Sequence, residues 1–209
     1  MKLYYSPGAC SLSPHIVARE LGIPLQLQKV NTKDKSMEGG GDYWQVNGKG
    51  YVPLLELDNG ERLTEGPAIV QYLADQKPEA GLAPKAGSFE RYRLQEWLNF
   101  TTSEIHKQFS PLFRPTTPED YKPIARENLA NRFKWLDKQL AGKDYLLGKQ
   151  FSVADAYLFT VLRWTAPLKI DLSPWPNVAA YLERVGKRPK VREALQEEGL
   201  IPKERQAAA

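Results

Sequence analysis

The spacing of apolar residues changes within the N-terminal segment. Residues 2–6 alternate in a stretch rich in β-formers, and Pro7-Gly8 breaks the pattern. From Ser11 onward Leu12, Ile16, Val17 and Leu21 recur at helical spacing, so a strand-turn-helix unit is predicted. Further strands are predicted at 26–30 and 54–57, with Asp58-Asn59-Gly60 turning the chain into a fourth around 62–64. A helix then begins at Glu65 and carries Ile69, Val70, Leu73 and Ala74 on one face. The order β-α-β, then β-β-α, with a glycine-rich stretch at 38–42 between the halves, predicts a four-stranded mixed sheet with helices packed on it.

The pattern changes near residue 80. The segment Lys77-Pro-Glu-Ala-Gly-Leu-Ala-Pro-Lys-Ala-Gly87 reads as a linker, and everything after it is helical. Leu94, Trp97, Leu98, Thr101 and Ile105 form one stripe. Thr117-Pro118 and Asp120 open a long helix in which Leu129, Phe133, Leu136 and Leu140 share a face. Ser152-Val-Ala-Asp155 has the form of a capping box, with aspartate in the usual glutamate position. The run 156–168 is nearly apolar all round, as expected of a helix buried at the centre of a bundle, and Pro176 and Pro189 suit the first turns of two more helices. The division is an α/β unit at 1–78, a linker at 79–86 and an all-α unit at 87–209, ending in a short alanine tail read as frayed.

Charge and cysteine count narrow the function. Residues 1–80 carry 8 basic and 10 acidic groups and 81–209 carry 21 and 15, an excess interleaved with acids that gives no dense basic stripe. That disfavours nucleic acid as a partner and suits small anionic ligands. With 1 cysteine no disulfide can form within the chain. A free thiol without a secretory leader points to a reducing, cytoplasmic compartment. No apolar run reaches membrane-spanning length, so no integral membrane protein is expected.

Three constellations bear on chemistry. Cys10-Ser-Leu-Ser13 lies at the predicted strand-helix junction, where the macrodipole and free N–H groups favour an anion and lower a thiol pKa. The other reading is a buried cysteine acting as a small hydrophobe. With Ser13 where a resolving thiol would stand, intramolecular disulfide cycling is excluded, though a mixed disulfide with an external thiol is not. Tyr5 and Ser11 flank the thiol, with hydroxyls able either to reach it or to cap the helix.

Second, Tyr51-Val52-Pro53 precedes a strand, and Glu65-Gly66-Pro67 opens a helix. Such a strand start can expose the Val52 backbone to an extended peptide, and the helix start offers N–H groups to a carboxylate beside a glutamate for an ammonium. Each piece alone can equally be a strand end or a decorated helix start. Third, Asn99, Ser103 and His106 recur at i, i+4 and i+7, on one stripe opposite the apolar face. Two histidines are too few for a metal site, so no metal is expected. A near-neutral histidine could orient a thiol if this face looks onto Cys10.

Taken together, KLYYSPGACSLSPHI at the start, YVP at 51–53, LTEGPAIVQYLAD at 63–75, WLNFTTSEIHKQFSPLFRP at 97–115 and FSVADAYLFTVLRW at 151–164 resemble cytosolic glutathione S-transferases, most closely the bacterial beta class. The resemblance runs over essentially the whole chain. It implies an α/β thioredoxin-like N-terminal domain, an all-α C-terminal domain, a homodimer, and glutathione bound between the domains as co-substrate. By position it implies that Cys10 contacts the glutathione sulfur and that Lys35 pairs with the glycyl carboxylate. Val52 would pair with the peptide backbone, with Pro53 cis, and Glu65 and Gly66 would hold the γ-glutamyl end. Asn99, Ser103 and His106 would line the site from the helical domain, some across the dimer interface, with Lys107 next to it. Ser152 and Asp155 match the family's capping box, a folding element.

The implied reaction, a detoxification, is attack of the glutathione thiolate on a hydrophobic electrophile, with Cys10 and His106 as the catalytic candidates. The electrophile would be bound near Phe109, Leu112, Phe113 and Trp164, residues that equally read as core. Two other functions fit the same residues: thiol-transferase or peroxidase chemistry through a Cys10–glutathione mixed disulfide, and a non-catalytic ligand-binding module. The chain departs from the family's usual Asn-Pro-x-Gly with Asn47-Gly48-Lys49-Gly50, and carries the run Gly39-Gly40-Gly41 beside the loop of Lys35.

Overall fold

The computed structural model describes residues 1–203, and the alanine tail lies outside them. Strand β1 (Lys2–Tyr5) pairs in parallel with β2 (Gln26–Lys29) and antiparallel with β3 (Leu54–Glu56), which pairs antiparallel with β4 (Arg62–Thr64). The order β2-β1-β3-β4 is the mixed sheet that the β-α-β, β-β-α pattern predicts. Because successive side chains point to opposite faces, Leu55 joins the main core beneath helices α1 (Leu12–Leu21) and α2 (Gly66–Asp75). Tyr4 and Leu54 join Val30, Tyr43 and Val52 in a smaller core on the other face.

The sheet pairing stops short of Val30, which instead bridges to Met37, and a second bridge joins Ser36 to Asp42. The glycine run is therefore tied at its base. Gly39, Gly40 and Gly41 have φ of 84°, 101° and 101°, which glycine alone adopts without strain.

After the connecting segment come α3 (Phe89–Phe100), a π-helical turn (Thr101–His106), α4 (Lys107–Phe113), α5 (Tyr121–Leu140), α6 (Val153–Leu162), α7 (Pro176–Gly186) and α8 (Pro189–Glu197). Every residue of α6 is buried, so it is the predicted central helix. It ends at Leu162, however, and not at 168. Pro167 has no N–H to donate and its ring would strike the carbonyl of Arg163, so the chain leaves through a 3-10 turn (Arg163–Thr165). The capping box at the start of α6 forms as expected. The Asp155 carboxylate also accepts from the Leu146 N–H at 2.8 Å and the Tyr181 hydroxyl at 3.0 Å.

One apolar core runs through both layers, because α1 packs on α2 in its own layer and on α6 and α8 in the other. Polar ties reinforce that seam. Arg188 forks onto Glu20 at 2.7 and 2.9 Å while stacking on the Phe151 ring. Buried His15 lies 3.0 Å from Glu198 and 2.7 Å from Glu197.

Candidate functional site

The loop joining β1 to α1 carries Cys10 and is fixed from both layers. The Ser11 hydroxyl accepts from the Ser6 N–H and donates to the Ser6 carbonyl, and the Ser13 hydroxyl donates to the Cys10 carbonyl at 2.8 Å. Both serines thus serve the backbone and leave the thiol alone. Gly8, at φ 72°, is gripped by the helical layer: its N–H donates to Glu198 at 2.8 Å and its carbonyl accepts from Trp164 Nε1 at 2.8 Å. Tyr5 is buried with its ring 6.4 Å from that of His15.

The Cys10 thiol donates to the Val52 carbonyl at 3.2 Å, and the Val52–Pro53 bond is cis. The thiol corrects an expectation. Burial pushes it up to about 12, against the pull of the Cys10 and Ser11 N–H groups at the helix start. The helix N-terminus acts in the predicted direction, but desolvation outweighs it, and Cys10 is a protonated donor.

Glu65 caps α2 with φ 69°, a backbone conformation costing about 1–3 kcal/mol for a non-glycine residue. Such strain is characteristic of ligand clamps. Its carboxylate is 2.7 Å from Lys49 Nζ, which also donates to Thr64 Oγ1 at 2.9 Å. The N–H of Gly66 belongs to the first helical turn, where intrahelical acceptors run out. A Cβ there would sit 3.9 Å from Ser13 Oγ, an ordinary contact, so packing does not demand glycine.

Lys35, also at positive φ (66°), donates to the carbonyls of Thr32 at 2.6 Å and Gly50 at 2.8 Å and lies over the Trp44 ring. At Gly50 an added Cβ would come within 2.6 Å of the Trp44 indole, so this turn needs its glycine. Asn47 holds the same turn by accepting from the Lys49 N–H and donating to the Tyr51 carbonyl. The Asn-Gly-Lys-Gly departure therefore still makes a closed turn.

The helical side differs from the predicted stripe. The π-helical turn at Thr101–His106 inserts extra residues into the helix and rotates its later residues relative to Asn99. Asn99 and Ser103 are exposed, joined by a hydrogen bond from Ser103 Oγ to the Asn99 carbonyl. His106 instead turns inward and is half-buried. Its Nδ1 is 2.7 Å from the Tyr157 hydroxyl, and its ring stands edge-on to Trp164 at 4.8 Å. Burial, with Lys107 adjoining, lowers His106 to about 4, so it is neutral at pH 7.

These groups meet in a cleft of about 280 Å³. Cys10, Val52, Glu65 and Gly66 line one wall, and Thr102, His106, Lys107 and Tyr157 line the other. Lys35, Asn99 and Ser103 are outside the lining. Two roomier hollows, of about 540 and 480 Å³, lie beside Met1 and beside Gln150, but neither contains the thiol or an imidazole. Phe109 is fully buried core, and Phe113, about half exposed, packs its ring on Trp164 beyond the cleft. Tyr157, Thr102 and Lys49 escape the sequence reading. A tyrosine inside an otherwise apolar helix was the available signal, since a buried hydroxyl requires a partner. Among the described residues no cluster of His, Cys, Asp and Glu could hold a metal ion, and no helix is long and apolar enough to cross a membrane.

Residues 8–76 match the family model described as glutathione S-transferase, N-terminal domain, and residues 100–189 the corresponding C-terminal domain. The chain is 48% identical over 200 residues to glutathione S-transferase GstA of Escherichia coli O157:H7, covering 96% of this chain and 100% of that one. A bacterial beta-class glutathione S-transferase from Sphingomonas chungbukensis superposes with TM-score 0.93 at 50% identity, over 96% of this chain and 100% of the other. A sphingomonad glutathione S-transferase complexed with glutathione superposes with TM-score 0.92 at 49% identity, over 96% and 100% of the two chains.

Proposed function

The chain belongs to the glutathione S-transferase family, and from that premise we propose that its cleft binds glutathione and sets the thiolate against a hydrophobic electrophile. The observation that carries this reading is the meeting of Cys10, Val52, Glu65 and Gly66 with His106 in one cleft. The Val52 main chain beside the cis-proline suits backbone pairing with an extended tripeptide. Gly66 N–H and the Glu65 carboxylate suit the carboxylate and ammonium of a γ-glutamyl head. Lys35, outside the lining but with its ammonium over the ring of cleft-lining Tyr51, suits the glycyl carboxylate.

The reaction deprotonates the glutathione thiol to solvent. The thiolate then attacks the electrophilic carbon, forming a C–S bond as the leaving group departs with its electron pair. Lowering a thiol from about 8.5 by two units requires about 2.7 kcal/mol of differential stabilisation. Charge-assisted donors in a cleft of low dielectric supply energies of this size. A Cys10 thiol held protonated is such a donor, and so is a neutral imidazole. The same protonation argues against Cys10 as the attacking thiolate that thiol-transferase or peroxidase chemistry requires.

Exposed Asn99 and Ser103 serve the cleft of a second copy in this reading, which makes the enzyme a homodimer. Sedimentation as a monomer at micromolar concentration would refute that part. A single free thiol suits a cytoplasmic enzyme. The function is tested by conjugation of glutathione to an aryl halide, with wild type and Cys10→Ala compared. Removing one donor costs about 1–2 kcal/mol, so activity within roughly thirtyfold of wild type is expected. Complete loss in a folded, glutathione-binding variant would move the reaction to Cys10 itself.

A further inference from the structure

Tyr157 is the one polar side chain on the buried face of α6 that reaches the cleft, and its hydroxyl is 2.7 Å from His106 Nδ1. A hydrogen bond of that length has two possible directions, and the neighbouring atoms choose between them. The Thr102 hydroxyl commits its hydrogen to the Leu98 carbonyl at 2.9 Å. If His106 Nδ1 carried the ring proton, the Tyr157 hydrogen would be left with the open cleft or with Thr102 Oγ1, which lies 3.4 Å away, beyond the usual O–H···O range. If Tyr157 donates to Nδ1, every hydrogen on the path has an acceptor at normal distance.

Protonation states agree with the second arrangement. Burial raises the Tyr157 phenol, with Cys10 and Glu65 adding to the rise, so it keeps its hydrogen. Burial and Lys107 keep the imidazole neutral, so it bears one hydrogen and not two. A ring that accepts at Nδ1 carries that hydrogen on Nε2, and among the described residues Nε2 has no hydrogen-bond partner. Trp164 fixes the plane of the ring from the side and is itself anchored on Gly8 of the Cys10 loop.

We propose that Tyr157 is a positioning residue: by donating to His106 Nδ1 it selects the imidazole tautomer that carries its N–H donor at Nε2, in the cleft that His106 lines together with Cys10. The proposal rests on the conjugation reading for its consequence, but not for the tautomer itself. Loss of the hydroxyl lets the ring proton move to Nδ1, and the cleft then meets a lone pair that repels a thiolate.

The test is histidine-labelled nitrogen NMR of the ligand-free protein, followed by kinetics of Tyr157→Phe with an aryl halide. The chain holds 2 histidines, so the signal lost in His106→Gln assigns His106. Expected are a proton coupled to Nε2 in wild type, appearance of the Nδ1–H form in Tyr157→Phe, and a fall in kcat of roughly ten- to hundredfold with KM for glutathione little changed. Wild type protonated at Nδ1 would overturn the proposal, and this measurement needs no variant to fold. So would a Tyr157→Phe enzyme that keeps both the Nε2–H tautomer and wild-type kcat. Absence of conjugation in wild type would instead defeat the functional reading and leave the tautomer assignment standing.

Discussion

On the sheet side, the cleft is lined by the Cys10 thiol, by main chain at Val52 and Gly66, and by Glu65, whose carboxylate is 69% exposed. On the helical side, beside the exposed Lys107, stand uncharged side chains locked to one another, buried Tyr157 to half-buried His106 and His106 to Trp164. The first wall suits recognition of a zwitterionic peptide in water, where each contact adds little and the geometry of the backbone sets specificity. The second suits polarising a sulfur, because a neutral donor in a dry setting is worth more than one in solvent. In the proposed reading recognition falls mainly to the sheet wall, which also carries the Cys10 thiol, and the helical wall adds the imidazole, a division that can be tested wall by wall.

The largest effect is expected where the helical wall is founded. Asp155→Ala removes the acceptor of two backbone N–H groups and the Ser152 and Tyr181 hydroxyls, all buried. Leaving such donors unpaired costs about 3–5 kcal/mol, to be read as a lower midpoint in denaturant unfolding, and Asp155→Asn falls between. If recognition and chemistry are separable, a still-folded fraction binds glutathione but conjugates poorly.

A smaller effect comes from acid. The folded-state His106 is lowered to about 4 from 6.5, so below pH 6.5 the unfolded chain takes up a proton that the folded chain refuses. Stability contributed by the neutral ring is fully present above pH 6.5 and falls as the pH drops toward 4, by roughly 3 kcal/mol in all. His106→Asn flattens that part of the stability–pH curve. Parallel curves for the two proteins would mean that the helical wall is wetter and less neutral than its packing implies.

The smallest effect belongs to the sheet wall. Lys49 occupies the Glu65 carboxylate that the proposed reading assigns to the ligand ammonium, but both side chains are more than half exposed. Exposed pairs contribute about 0–1 kcal/mol, so Lys49→Ala shifts the glutathione dissociation constant by less than about fivefold and leaves kcat alone. Calorimetry on glutathione measures the shift. A large loss of affinity would show that Lys49 itself grips the ligand.

The same division explains what could be read in the sequence. Pro7-Gly8, Val52-Pro53 and Glu65-Gly66-Pro67 are local signals, each fixing the backbone where it stands, and with the alternating strand patterns they announced a four-stranded mixed sheet, whose order the structure supplies. The helical wall depends on relations between distant segments. The π-helical turn separates His106 from Asn99 and Ser103, and nothing in a regular helical period announces it. Tyr157 was hidden in an apolar run whose partner lies 51 positions away. The Cys10 thiol was placed correctly just before the start of its helix, but its protonation is set by burial, which spacing does not report.

The grip on Gly8 also orders events during synthesis. Its N–H partner, Glu198, is 190 positions further along, and its carbonyl partner, Trp164, is 156 positions along. A nascent chain limited to the sheet layer therefore holds this loop by its local Ser6–Ser11 and Ser13–Cys10 bonds alone on the α1 side, without the grip on Gly8. The loop acquires its grip from the helical layer only when translation has delivered Trp164 and then Glu198 to the seam, so the ends of the chain meet at the residue that leads into Cys10.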